Sequence, residues 1–392
     1  MKTSIIQAKL PAYLKASRAQ KTIIITQVCG VTGMPRKSVI RAFNRERKHT
    51  HLKAPPKIGR PRVYTPETEA ALAFVWEQYD YPAAERLHPT ITEAIRIFAR
   101  DRMWPYSTQA STQLAAMSLG AMKVRTVRMA KQRGLMRGIA TTRSGELLKS
   151  VPVFFGSWEH KGPGNGQVDT VVHSGPKLMG SMVYTVNYID VATYWQEPVA
   201  QLNKGERATV ASLATIQDRL PFPLAGLHPD SGSEFVNMVG KAWCDGQGIE
   251  LTRSRPHKSN DNCYVEQRNL VVVRKYVGYE RYDCHEAVAV MNELYGVLRL
   301  YLNFFQPTFK LMGKQQRVKL EDGKQAAKPY KRVYDRVRTP YQRALDREDI
   351  DRTVKDHLTA QYESLNPKLL RDRIQAVTSK LERTQRELGY HY

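Results

Sequence analysis

A chain of 392 residues exceeds the roughly 100 to 200 residues of one ordinary domain, so several are expected. Hydrophobic residues make up 42% and charged residues 25%, enough apolar material for real cores, which excludes a wholly disordered chain. The 61 Lys and Arg against 37 Asp and Glu leave a net charge of +24, so the expected partner is a polyanion. No run approaches the roughly 18 apolar residues of a membrane span, and an intracellular, cytoplasmic protein with no membrane partner is expected. Cys29, Cys244, Cys263 and Cys284 are too scattered for a zinc knuckle or a redox pair.

The charge is unevenly spread. Residues 1–150 carry 27 basic and 9 acidic side chains, residues 151–290 carry 13 and 15, and residues 291–392 carry 21 and 13. Two basic flanks bracket a nearly neutral centre, a layout for DNA-holding modules attached to one with a different task.

Taken in chain order, residues 21–47 read as helix, tight turn, helix. Ile23, Ile24 and Val28 fall at helical spacing, Gly30 to Gly33 interrupts, and Pro35 sits near the next start. Val39, Ile40 and Phe43 mark the second helix's buried face. Its other side carries Arg36, Lys37, Arg41, Asn44, Arg45 and Arg47, suited to phosphates and base edges in a major groove. We assign 1–53 to an N-terminal helix-turn-helix DNA-binding domain. A basic Pro-rich linker follows over 54–64, whose Arg60 and Arg62 suit a narrow minor groove as well as a plain spacer.

A second helical DNA-binding domain is expected over 65–145. Thr65-Pro66-Glu67 opens it as cap, first-turn proline and acidic first turn, with Leu72, Val75, Trp76 and Tyr79 on its packed face. Further helices are expected at 91–102 and 107–117. Ser118 to Arg133 places Lys123, Arg125 and Arg128 on another candidate recognition helix.

From about residue 152 the texture becomes β. Strand-like runs cover Gln167–Val172, Met182–Asp190, Tyr194–Leu202, Leu224–Asp230 and Ile249–Arg253, with helices at about 205–220 and 235–247. That order predicts a mixed sheet with helices packed on it. Asp169 lies inside the first strand in apolar company, where an unpaired carboxylate is costly. Asp230 ends the fourth strand. Glu266, Leu270, Val273 and Val277 fall on one helical stripe, so Glu266 is expected to face inward. Three such oxygen donors without Cys/His clusters select Mg²⁺, with Mn²⁺ as a substitute. Two ions on the order of 4 Å apart would activate a nucleophile and stabilise a leaving oxygen at a phosphodiester. Asp190, Glu234 and Asp261 are nearby acids read as turn, cap or supporting groups. Arg255, Lys258 and Arg268 form a basic approach.

The stretches Gln167-Val168-Asp169-Thr170, His228-Pro229-Asp230-Ser231-Gly232-Ser233-Glu234-Phe235 and Asn260-Asp261-Asn262-Cys263-Tyr264-Val265-Glu266-Gln267-Arg268-Asn269 together resemble the retroviral-integrase superfamily of DDE transposases. The similarity to bacterial insertion-sequence transposases runs from about 150 to 310 and more loosely over the amino end. The resemblance implies a ribonuclease-H-like integrase catalytic core over 152–310, with a mixed five-stranded sheet. It also implies catalytic and metal-binding roles for Asp169, Asp230 and Glu266, two Mg²⁺ ions, cleavage of donor 3′ ends and their joining to target DNA. Partners would be the element's terminal inverted repeats, target DNA and further copies of the chain in a synaptic complex, in a bacterial cytoplasm at the nucleoid. Ser231 departs from the Asn usual in relatives.

Residues 311–392 are expected to form a basic C-terminal region ending in a helix. Lys328, Lys331, Arg332, Arg336 and Arg338 interleave with Tyr330 and Tyr334, suiting a small β module or a linker. Leu370, Ile374, Val377, Leu381 and Leu388 form a short heptad seam, for oligomerisation or for docking within the chain. Alternative functions are a non-catalytic regulator derived from a transposase and a metal-dependent nuclease without strand transfer. A tyrosine recombinase is excluded because none of the ten histidines has an arginine three residues later.

Overall fold

Caps and left-handed turn residues set the helix boundaries at the amino end. The computed structural model describes residues 2–49, 63–134, 161–176, 179–229, 238–252, 263–316 and 330–387, which fall into two compact units divided between Val63 and Tyr64. In the first, α1 (Lys2–Lys15), α2 (Arg18–Thr32) and α3 (Arg36–His49) share one core of Ile6, Leu10, Ile25, Val28, Val39 and Phe43. Ser17 and Gln20 form a capping box at the start of α2, worth about 1 kcal/mol. The helix runs through Gly30, expected to lie in the turn, and stops only at Gly33, whose φ of +67° suits glycine. Ile23 is 57% exposed, so Ile25 carries the packed face in its place.

The second unit opens with α4 (Pro66–Gln78), where Thr65 caps and Pro66 starts the first turn. Then come α5 (Ala84–Leu87), α6 (Ile91–Arg100), α7 (Thr108–Ala115) and α8 (Leu119–Gln132). Leu72, Val75, Trp76 and Tyr79 are buried as the spacing predicts, in a hydrophobic cluster continuous with the sheet.

The sheet comprises β1 (Asn165–His173), β2 (Val183–Asp190), β3 (Gln196–Leu202), β4 (Gly226–Pro229) and β5 (Glu250–Leu251), in the order β3-β2-β1-β4-β5. The first three strands run antiparallel, and β4 lies parallel to both β1 and β5. This is the mixed five-stranded sheet the sequence implies, with β1 central. Gly166 is obligatory there: a Cβ would stand 2.2 Å from the Tyr188 ring. Between β3 and β4, α9 (Glu206–Arg219) crosses over, and α10 (Met238–Gln247) precedes β5. Leu213 of α9 and Cys244 of α10 gather with Val168 and Leu227.

The other face of β1 receives a helix whose backbone runs through α11 (Cys263–Arg268), a π-helical stretch (Asn269–Arg274) and α12 (Lys275–Val277). The long α13 (His285–Phe305) then covers the sheet's open edge. Asn292 bonds both backbone groups of Ala200 at 2.8 and 2.9 Å, and Asn303 those of Gln196 at 2.9 Å each. Two carboxamides thus occupy backbone groups of β3 that would otherwise template another strand.

Beyond α13, β6 (Leu311–Gln316) and β7 (Tyr330–Tyr334) form a two-stranded antiparallel ribbon, followed by α14 (Pro340–Leu345), α15 (Arg352–Ser364) and α16 (Pro367–Glu387). Ile374, Val377 and Leu381 of the heptad seam are buried in the main cluster, where α16 packs along α13. The seam is satisfied within the chain; Leu388 lies outside the described residues. Among the described residues no helix is long and apolar enough to cross a membrane.

Candidate active site

On a strand, residues two apart share a face, so Gln167 and Asp169 both point away from Val168, toward α11. Gln167 is fully buried, and its Oε1 accepts from the backbone N–H groups of Tyr264 at 3.0 Å and Val265 at 3.2 Å. It satisfies donors left orphaned at the start of α11 and so fixes that helix against β1.

Asp169 is half-buried. Its Oδ1 accepts from the Thr170 N–H at 2.8 Å and its Oδ2 from Asn269 Nδ2 at 2.6 Å. Asn269 Oδ1 in turn accepts from Asn187 Nδ2 at 2.8 Å, and Asn187 is the cross-strand partner of Asp169. Three side chains from β1, β2 and the π-helical stretch therefore form one hydrogen-bonded chain that ends on the carboxylate. Neither Asn187 nor Asn269 stands out in the sequence; the only signal is the run Glu266-Gln267-Arg268-Asn269, which puts Asn269 one turn beyond Glu266.

Glu266 occupies the fourth position of α11; its side chain lies outside those described. Asp230 also lies outside the described residues, but β4 is described to Pro229, the register partner of Val168. The backbone therefore brings the residue before Asp230 alongside the residue before Asp169. Among the described residues no group of three His, Cys, Asp or Glu side chains gathers as a metal site.

The expected apolar stripe is not what the helix presents. Val273 and Val277 are buried, but Leu270 is 57% exposed and Val272 is buried in addition. A π turn accommodates one residue more than an α turn, so the buried side shifts between Asn269 and Arg274. Such insertions leave no mark in a periodicity count.

Other polar side chains of the core are engaged within the fold. Asp190 is fully buried, and its carboxylate accepts from Gly164 N at 2.8 Å, Thr193 N at 2.7 Å and Thr193 Oγ1 at 2.6 Å. It is a turn-capping group; burial pushes its carboxyl up to about 6. Glu234 and Asp261 lie outside the described residues. His228 Nδ1 meets Thr252 Oγ1 at 2.8 Å, tying β4 to the end of β5. Arg274 donates to the Val172 carbonyl at 2.9 Å, and Lys275 pairs with Asp80, so both cations serve the fold.

Arg268 lies over the Tyr194 ring, 5.6 Å from its centroid, and burial pushes its guanidinium down to about 10. Lys310 and Arg343 approach the same ring at 5.7 and 5.2 Å. Tyr194 also meets Tyr264 edge-on at 5.6 Å, which links α11 to the carboxyl-terminal ribbon.

Arg36, Lys37, Arg41, Asn44 and Arg45 are all exposed on α3, opposite Val39 and Phe43. On α8, in contrast, Lys123 pairs with Glu85 at 2.8 Å, Arg125 with Glu69 at 3.3 Å, and Arg128 also with Glu69. Arg125 further stacks over Tyr64 at 4.4 Å. Those charges face Glu69 of α4 and Glu85 of α5. Arg60, Arg62, Arg255 and Lys258 lie outside the described residues.

The fold and site define a mixed α/β protein with a carboxylate at the centre of its first strand. No family model matches the chain. It is 36% identical over 317 residues to the uncharacterized protein y4rM of Sinorhizobium fredii (strain NBRC 101917 / NGR234), covering 80% of this chain and 89% of that one, and it belongs to the same family. Among solved structures it is similar to the catalytic core domain of BIV integrase, at 18% identity and TM-score 0.27, over 36% of this chain and 84% of that one. A second similarity is to the HTLV-2 integrase catalytic core domain in complex with magnesium, at 12% identity and TM-score 0.28, over 37% and 90%. A third is to the simian T-cell lymphotropic virus intasome in complex with a PP2A regulatory subunit, at 14% identity and TM-score 0.30, over 36% and 49%.

Proposed function

We propose that this chain is a DNA transposase with an integrase-type, ribonuclease-H-like core, which binds the terminal inverted repeats of its own mobile element, cleaves the donor 3′ ends and joins them to target DNA. The observation that carries the reading is the convergence of backbone on Asp169. Its strand is central, the end of β4 before Asp230 lies in register beside it, and Asn269, one turn after Glu266, bonds its carboxylate.

Asp169, Asp230 and Glu266 would hold two Mg²⁺ ions, with Mn²⁺ as a substitute. The donor set fits: hard carboxylate oxygens, with the one described carboxylate oriented by two N–H donors. When bound, such ions activate the attacking oxygen and stabilise the leaving one in a phosphodiester exchange.

The chain's own residues do the rest. Asn269 and Asn187 orient Asp169, and Gln167 holds the start of the Glu266 helix. Arg268 offers a cation on the same helix. The basic face of α3 engages the terminal repeat, with Arg60 and Arg62 of the linker beside it. Residues 1–53 and 65–145 serve as DNA-binding modules, 152–310 as the catalytic core and 311–392 as its basic extension. Both element ends must be held together, so the working form is a multimer.

The test incubates purified protein with labelled element ends, Mg²⁺ and a plasmid, comparing wild type with Glu266→Gln. Joined products from wild type alone support transposition. Binding without chemistry in both would replace it with a regulator, and cleavage without joining with a nuclease.

A further inference from the structure

Phe309 and Tyr334 sit where a two-stranded ribbon leaves the body of the protein, and neither is buried: they are 41% and 47% exposed. Their rings lie 5.8 Å apart and tilted by 58°. Met312, the residue at the register shift between Leu311 and Gly313, is 53% exposed, and Val333 is 38% exposed. Two aromatic rings left in water against one another mark a candidate contact surface.

The charge around them says which kind. Residues 309–316 and 330–338 contain Lys310, Lys314, Lys331, Arg332, Arg336 and Arg338 against a single acid, Asp335. That acid is spent internally, paired with Arg343 at 3.0 Å and accepting from the Lys310 N–H at 2.6 Å. Arg338 pairs with Asp346, and Arg336 is exposed. An apolar partner would leave the ribbon's positive charge unanswered, whereas a strand of nucleotides supplies both phosphates and flat faces.

The ribbon's root is rigidly held. Lys310 Nζ donates to the carbonyls of Val191 at 2.9 Å and Ala192 at 3.3 Å, in the turn that leaves β2. Through Tyr194 that turn contacts Tyr264 at the start of the Glu266 helix.

We propose that Phe309 and Tyr334 form a stacking platform for unpaired DNA bases, and that the exposed Arg336 and the net positive charge of the ribbon attract the phosphates beside them. Exposed aromatics interleaved with Lys and Arg bind single strands with little sequence preference, because every base offers a π face. This inference rests on the transposase reading, which requires unpaired nucleotides beside the cut end.

The experiment measures binding by the full chain in EDTA, so that no chemistry intervenes. The probes are a labelled blunt duplex and the same duplex with a single-stranded tail of about eight nucleotides, within the site sizes such surfaces use. Wild type is expected to prefer the tailed probe. Phe309→Ala/Tyr334→Ala should weaken tailed binding on the order of tenfold or more and leave blunt binding unchanged. Phe309→Tyr/Tyr334→Phe should retain the preference. Met312→Glu, at an exposed position where folding is not at stake, should also reduce tailed binding.

Equal binding of both probes by wild type, or equal loss on both in the variants, would overturn the platform. So would a change of oligomeric state in the alanine variant, which would assign the face to a second copy. Wild type that joins DNA without preferring the tail sinks this inference alone; preference without joining sinks the transposase reading and leaves the platform.

Discussion

Asn269 and Asp169 are separated by 100 residues yet joined by a 2.6 Å hydrogen bond, and the amide that makes it is held from behind by Asn187. Asn269→Leu keeps the side chain's size and removes both bonds. It leaves the buried Asn187 Nδ2 without its acceptor, which costs about 1–3 kcal/mol. Loss of a group that orients a metal-holding carboxylate typically costs on the order of 10- to 100-fold in affinity or activity. The variant should therefore melt a few degrees lower and join DNA that much more slowly. Activity unchanged at saturating Mg²⁺ would remove Asn269 from the site.

Gly166→Ala drives a methyl group into the Tyr188 ring, whose nearest atoms would lie 2.2 to 2.5 Å from the new Cβ. Both residues sit on inner strands, so the clash cannot be relieved by moving an edge. A loss of about 1–3 kcal/mol or more is expected from overpacking. Urea denaturation should show the fall, and Tyr188→Ala in the same chain should recover part of it.

Two buried groups set opposing pH dependences. His173 is fully buried against Thr185 Oγ1 at 2.8 Å, and burial pushes its imidazole down to about 3. The unfolded chain takes up a proton near 6.5 that the folded chain refuses, so this contribution is present above about pH 6.5 and lost as the pH falls toward 3. Asp190 acts the other way. Its folded value of about 6 lies above the unfolded 3.8, so its contribution is full below about 4 and lost as the pH rises through 6. From about pH 6 to 4 the two titrations oppose each other proton for proton, so these groups leave wild type nearly level there. His173→Gln, left with Asp190 alone, should gain stability relative to wild type as the pH falls over that range, as thermal melts would read.

Arg41 and Arg45 stand free on the exposed side of α3, whereas Lys123 on α8 already answers Glu85. Arg41→Ala/Arg45→Ala should weaken binding to terminal-repeat DNA and reduce the slope of log affinity against log salt by roughly 2. Lys123→Ala should change both much less. Equal effects would support α8 as a second recognition helix.

Ile374 lies on the buried seam between α16 and α13. Ile374→Asp places a charge in that seam and should destabilise the fold by about 3 kcal/mol or more. Light scattering should show it altering the melting temperature before any change in subunit number. A soluble, equally stable variant with fewer subunits would assign the seam to oligomerisation.

What could be read in the sequence was whatever is local and repeats. Alternating runs marked all five strands of the main sheet to within a few residues, and Thr65-Pro66 announced α4 because capping chemistry is written in adjacent letters. The place of Asp169 inside β1 was legible because its neighbours Val168, Thr170 and Val171 are strand formers. Other features depend on contacts distant in the chain. Asn187 and Asn269 look like any polar residues until β2 and the π-helical stretch bring them together. Glu69, the one acid that claims both Arg125 and Arg128, lies 56 and 59 positions before them. The seam of α16 read equally well as an oligomer contact, because a heptad does not say whose helix it meets.

The six residues from Asn269 to Arg274 bear on how the family should vary. A π turn is an α turn with one residue inserted, so removing a single residue there would restore ordinary winding at little cost to the helix itself. The extra residue is taken up within the stretch, so its loss would leave Val277 facing the sheet and change which side chains between Asn269 and Arg274 do so, Asn269 among them. Relatives that keep the Asn269 contact should therefore keep the length of this stretch even where its letters change, and a one-residue gap in it would mark a chain whose site is put together differently.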